Sequence, residues 1–141
     1  MALDAEMAGA GFADRRLPDG RVLRLCARPD DVTISDIGRS MGISRQAASK
    51  IVGTLGERGY VTVSASAADG REKIVTLTPR ANQYLAAQRA AARRIERRVR
   101  AELGTDAFDA VQQLVAVLTP DEDVRMRDYI RAHHPELGPS G

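Results

Sequence analysis

Between Thr33 and Pro79 the chain reads, in order, as a short capped helix, a tight turn, a second helix opening Ser44-Arg45-Gln46-Ala47-Ala48-Ser49-Lys50, and two β-favouring runs around a polar loop. That order predicts a helix-turn-helix followed by a hairpin wing, a unit whose commonest use is to set one helix in a DNA major groove. Thr33 can accept the first free N–H groups as an N-cap, and Asp36 suits the positive end of the helix dipole. Ile34, Ile37 and Met41 recur at helical spacing and form a buried stripe. Gly42 can end the helix because glycine adopts the left-handed conformation without a Cβ penalty. Ile43 then plugs the corner, and Ser44 caps the next helix after a turn of three or four residues.

In the second helix Ala48, Ile51, Val52 and Leu55 share an anchoring face, whereas Arg45, Gln46, Ser49 and Lys50 fall opposite, near the N-terminal end. Arginine can pair bidentately with guanine, glutamine matches the adenine edge, and lysine suits phosphate or guanine. Beyond Gly59 the period changes. Tyr60–Val63 and Ile74–Thr78 favour strands, separated by the small polar stretch Ser64–Arg71 with its Asp69-Gly70 turn signal. That loop is too long for a two-residue hairpin and fits a wing. Arg71 and Lys73, just past the turn, are placed to reach a minor groove or a phosphate. Thr78-Pro79 starts the next helix with a cap and a first-turn proline.

These residues resemble the multiple-antibiotic-resistance regulator (MarR) family. The matching stretches are Thr33–Lys50, the Leu55-Gly-Glu-Arg-Gly-Tyr-Val61 helix exit, Asp69-Gly-Arg71 and Leu77-Thr-Pro79, within a resemblance that covers about Arg21 to Leu103. The resemblance implies a homodimer on a near-palindromic double-stranded operator, and a cleft where a small aromatic or phenolic effector binds. Carried onto this chain, it makes Arg45, Gln46, Ser49 and Lys50 the recognition-helix contacts and Arg71 the wing arginine; with Ser44 and Lys73 these are the DNA-binding residues expected. Three features depart from the family pattern. Ser66-Ala67-Ala68 stands where a second wing arginine is usual, Val61–Ser64 carries no charge, and the N-terminal segment is short and interrupted by Gly9-Ala-Gly11. The rival reading is a winged-helix protein-interaction module without sequence-specific DNA binding.

The fold class expected is mostly α with a small β-hairpin, that is, α+β. Residues 1–16 form a weak helical segment, 17–80 the winged helix-turn-helix, 81–135 a helical dimerisation region and 136–141 a flexible tail. Leu17 to Ala27 should be helical with Val22, Leu23 and Cys26 inward. A long helix from Pro79 to Leu103 carries Tyr84, Ala91, Ile95, Val99 and Leu103 along a seam. Gly104 stops it and Thr105 can cap a successor whose apolar face is Phe108, Val111, Leu114, Val115 and Leu118. Thr119-Pro120 restarts the chain, Asp121, Glu122 and Asp123 suit a helix N-terminus, and Val124, Met126, Tyr129 and Ile130 bury the last helix before His133-His134-Pro135.

At 141 residues the chain suits one domain whose dimer adds buried area. Net charge is only +2, but residues 33–104 are basic and 105–141 acidic, which separates a DNA-facing region from an opposite one. No apolar run reaches membrane-spanning length and no leader pattern appears, so a cytoplasmic protein is expected. Catalysis is not: the chain has no HExxH, phosphate-binding Gly-rich loop, CxxC or nucleophile elbow. No cofactor is expected. Adjacent His133 and His134 diverge on a helix, so no metal site is expected either. Lone Cys26 reads as a small core residue, and the run Arg89, Arg93, Arg94, Arg97, Arg98 and Arg100 as a solvated helix face.

Overall fold

The structure, a computed structural model, describes residues 2–118 and 122–137, with side chains from 122 to 127 excepted. Among the described residues, seven helices and one hairpin occur in the order α1 (Ala2–Gly9), α2 (Asp19–Cys26), α3 (Ile34–Met41), α4 (Arg45–Glu57), β1 (Val61–Ala65), β2 (Lys73–Leu77), α5 (Pro79–Leu103), α6 (Thr105–Leu118) and α7 (Glu122–His133), followed by a 3-10 turn, Pro135–Leu137. None of the described helices is long and apolar enough to cross a membrane. The expected mostly helical α+β fold with a hairpin wing is what forms.

The helix-turn-helix begins as the local chemistry dictates. The Thr33 side chain accepts from the Asp36 N–H while the Asp36 side chain accepts from the Thr33 N–H, a full capping box. Gly42 then takes φ +65°, and the Ile43 N–H returns to the Gly38 carbonyl at 3.0 Å. The Ser44 side chain accepts from the Ala47 N–H and starts α4. Gly38 is the less obvious requirement: a Cβ there would lie 3.1 Å from the Ile43 carbonyl oxygen. At the far end of α4, Gly59 at φ +81° lets the Tyr60 N–H close on the Leu55 carbonyl at 2.9 Å.

β1 and β2 pair antiparallel from Val61↔Leu77 to Ala65↔Lys73. Thr33 adds an isolated bridge to Ile74, and the Val75 N–H reaches the Val32 carbonyl at 2.8 Å, so the hairpin is tied to the start of α3. Thr78 caps α5, its hydroxyl also donating to the Gly59 carbonyl at 2.6 Å.

Two compact units result. One comprises residues 16–85 and 122–137; the other comprises residues 2–15 and 86–118. In the first, Val22, Leu23, Ile37, Met41, Val52 and Leu55 are fully buried, together with Tyr60 and Tyr84, whose rings meet edge to face at 5.6 Å. Each such side chain contributes about 1.5–3 kcal/mol by leaving water. In the second, Met7, Phe12, Ala91 and Phe108 are buried. Glu6 pairs there with Arg94 at 2.9 Å and Arg98 at 3.0 Å, and the Arg100 guanidinium lies 4.3 Å from the Phe108 ring centroid. The arginine run is therefore only partly a solvated face.

Several details differ from the sequence expectation. Leu25 is buried while Cys26, the last residue of α2, is only half-buried, and α2 starts two residues later than expected. Gly104, at φ +81°, rather than Thr105, precedes α6, its carbonyl accepting from the Phe108 N–H at 3.0 Å. Of the seam residues, Tyr84 and Ala91 are buried but Leu103 is exposed. On α6 only Phe108 is buried; Val111, Leu114, Val115 and Leu118 face solvent. Helix α7 falls in the same compact unit as the winged helix, where it packs on α3 and buries Ile130, rather than with the 86–118 helices. Glu136 and Leu137, expected in a tail, belong to the 3-10 turn. Thr119, Pro120, Asp121 and the side chains of Glu122, Asp123, Val124 and Met126 lie outside the described residues.

Candidate nucleic-acid interface

One face of α4 buries Ala47, Ala48, Ile51, Val52 and Leu55. On the other, Arg45, Gln46, Ser49 and Lys50 are all exposed within the first two turns, so three donor-rich side chains and a hydroxyl project from a helix whose N-terminal end is free of acidic residues. Ser44 is exposed too, though its oxygen already accepts from the Ala47 N–H at 3.1 Å, which leaves its O–H as a donor.

The wing is shaped by its own short polar side chains. The Ser66 N–H donates to the Glu72 carbonyl at 2.9 Å, and the Asp69 side chain accepts from the Arg71 N–H at 3.0 Å. This Asx-type turn projects Arg71 into solvent. Lys73, opening β2, is exposed as well. Arg45 sends a guanidinium N–H to the Arg71 carbonyl at 3.5 Å, which links the start of α4 to the wing. At the wing base Ser35 donates to Glu72 at 3.3 Å. All seven residues expected to bind DNA therefore lie on α4, its cap or the wing of one compact unit.

Sequence reasoning missed what fixes α4 in place. Asp19 is fully buried, and its two oxygens accept from the two terminal nitrogens of Arg58, each at 2.8 Å. It also accepts from the Arg16 N–H at 2.8 Å. Arg58 follows the last residue of α4, so this bidentate pair ties the end of α4 to the start of α2 across 39 residues. Arg58 and Arg80 both lie over the Tyr60 ring, at 5.4 and 4.8 Å from its centroid. Nothing in local spacing marks the pair, since Asp19 in isolation reads as an ordinary first-turn acid.

A second contact was equally illegible. Lys50 forms an ion pair with Glu136 of the 3-10 turn, 86 residues along the chain. His134, half-buried beside it, has its imidazole held below the usual range, first by burial and then by the positive charges of Lys50, His133 and Arg16. At the other end of the helix-turn-helix, hydrogen bonds from the Thr33 N–H and hydroxyl hold the Asp36 carboxyl below the ordinary aspartate value. Burial pushes the Cys26 thiol up to about 11, so it is protonated at neutral pH and a poor nucleophile. Among the described residues no cluster of His, Cys, Asp and Glu could hold a metal ion.

A two-helix turn, an exposed basic helix face and a hairpin wing define a winged helix-turn-helix protein. Residues 14–72 match the profile of the MarR family. No curated relative matches the sequence. Among solved structures, a probable transcriptional regulator from Pseudomonas aeruginosa is 26% identical, with 82% of this chain and 87% of that one covered and a TM-score of 0.60. FabT of Streptococcus pneumoniae, solved in complex with DNA, shares the fold at 14% identity, 76% and 75% coverage and a TM-score of 0.62. The heme sensor PefR of Streptococcus agalactiae, in complex with heme, does so at 18% identity, 98% and 88% coverage and a TM-score of 0.68.

Proposed function

We propose that this protein is a non-enzymatic, DNA-binding transcriptional regulator, acting as a homodimeric repressor in the cytoplasm. The observation that carries the reading is the exposed face of α4, Arg45, Gln46, Ser49 and Lys50, set beside a wing that presents Arg71 and Lys73. Two such helices in a dimer enter successive major grooves about one helical turn apart, and the wings flank them in the minor groove. Such a pair reads a near-palindromic operator. That a related fold has been solved on DNA supports the same placement.

The dimer contact we propose uses α6. Its residues Val111, Leu114, Val115 and Leu118 are 46–69% exposed, a run of aliphatic surface that an isolated chain gains by covering. A small effector, aromatic or phenolic as the family resemblance implies, acts by binding better to the lobe spacing that cannot span the operator, and so shifts the population away from DNA. That a protein of this fold has been solved with heme supports ligand control in general.

The test is to incubate the protein with fragmented genomic DNA at physiological salt and sequence what it retains. Enrichment of one inverted repeat, with affinity that falls steeply as salt rises, supports the regulator. A folded dimer that enriches nothing would overturn it in favour of a protein-interaction module, whose plainest support is the wing that offers Ser66-Ala67-Ala68 in place of a further arginine. Leu114→Asp, read by light scattering, tests the dimer face: a dimer that persists refutes it.

A further inference from the structure

We propose that the 3-10 turn Pro135–Leu137 is an intramolecular latch on α4, in which the Glu136 carboxylate holds the Lys50 ammonium until a DNA phosphate displaces it. The proposal rests on the DNA-binding role given to Lys50 above.

Three observations carry it. The first is that the acid is presented by a docked element rather than by a loose end. Ile130 of α7 is buried, the Tyr129 ring stacks on His133 at 4.3 Å, and the His134 N–H closes on the Ile130 carbonyl at 2.7 Å. The 3-10 turn continues directly from there, with the Leu137 N–H on the His134 carbonyl at 2.9 Å. The second is the partner chosen. Glu136 reaches the one lysine of α4, on the face that is otherwise open to a ligand. The third is like charge: the Glu136 carboxylate and a phosphate oxygen both seek the one Lys50 ammonium and repel each other beside it. Duplex DNA close to α4 also brings its negative phosphates against Glu136, so the turn must yield for Lys50 to engage.

The two partners are about half exposed, at 42% for Lys50 and 52% for Glu136. The latch is therefore weak and readily reversed, and it tunes affinity rather than abolishing it.

Lys50 and Lys73 are the only lysines of the chain, which makes amine acylation a direct reporter. The protein is treated with an N-hydroxysuccinimide acetate and the two sites are followed by mass spectrometry. The latch requires Lys50 to react more slowly than exposed Lys73, and Glu136→Gln to raise the Lys50-to-Lys73 ratio about two- to fivefold, the range expected for releasing one exposed pair. An unchanged ratio overturns the latch whatever the protein does with DNA. In parallel, Glu136→Gln should tighten binding to a genomically selected duplex about two- to fivefold, and this gain should vanish in a Lys50→Ala background. A gain that survives Lys50→Ala is a general charge effect and also overturns the latch. If the acylation ratio responds but no variant binds any duplex at low salt, the DNA-binding reading fails instead, and the regulatory role of the contact falls with it.

Discussion

Asp19→Asn is the most searching test of how this fold holds its exposed helix. The substitution keeps the shape of the side chain but removes the charge that neutralises Arg58, whose side chain is only 14% exposed. Breaking one partner of a buried ion pair costs about 3–5 kcal/mol, because the remaining charge stays desolvated and unpaired. Here the loss is smaller. Arg58 keeps its Nε donation to the Thr54 carbonyl at 3.3 Å and its position over Tyr60, and the amide oxygen can still accept one bond. We expect about 2–4 kcal/mol. With a urea m-value of about 2 kcal/mol/M, that moves the unfolding midpoint down by about 1–2 M. The assay is far-UV circular dichroism in urea at one protein concentration, since any self-association would make stability concentration-dependent. Arg131→Ala serves as the contrast: its pair with Asp128 at 3.7 Å is 73% and 66% exposed and should shift the midpoint by less than about 0.3 M. If Asp19→Asn behaves like Arg131→Ala, the buried bridge does not hold α4 against α2.

Other outcomes follow from the same geometry. Arg45→Ala should cost about 1–3 kcal/mol on the selected operator and relax preference at one base position; equal loss on every sequence would make Arg45 a phosphate contact. Gly38→Ala should destabilise by about 1–3 kcal/mol despite alanine's better helix propensity, because the new methyl meets the Ile43 carbonyl of a turn that its own hydrogen bonds hold rigid; a stabilised protein in thermal melts would refute this. The Asp36 carboxyl is depressed by the Thr33 hydrogen bonds, so its stabilisation is complete above the unfolded aspartate value of about 3.9 and is lost as pH falls through the lower folded value. Asp36→Asn should therefore be less stable than the parent from pH 5 to 7, with the gap closing on acidification below about pH 4, as urea midpoints across that range would show. Cys26 should alkylate with iodoacetamide at pH 8 about a hundredfold more slowly than a free cysteine, because burial leaves only about one thiol in a thousand ionised; a rate near that of free cysteine would show the thiol is accessible.

Capping at Thr33 and Ser44, the left-handed glycine at Gly42, the corner at Ile43, the wing turn at Asp69-Gly70 and the Thr78-Pro79 start were all legible in the linear chain. Each depends on groups within a few residues of one another, so propensity and hydrogen-bonding chemistry suffice to place them. The same locality explains why the candidate DNA face was readable: once the apolar stripe of α4 is known, the helical period puts Arg45, Gln46, Ser49 and Lys50 opposite it. What spacing could not supply are partners far apart in sequence. Asp19 finds Arg58 only because α2 and the end of α4 pack together, and Glu136 finds Lys50 only because α7 docks on α3. The aliphatic stripe of α6 was equally clear in the sequence, yet its exposure was not, because periodicity marks a face that seeks cover without saying whether the same chain provides it. The linear chain alone thus determined the winged helix and its basic face. Tertiary packing decided what braces that face and which acid of the chain's own C-terminal segment occupies its lysine, because those energies exist only between elements that folding has already brought together.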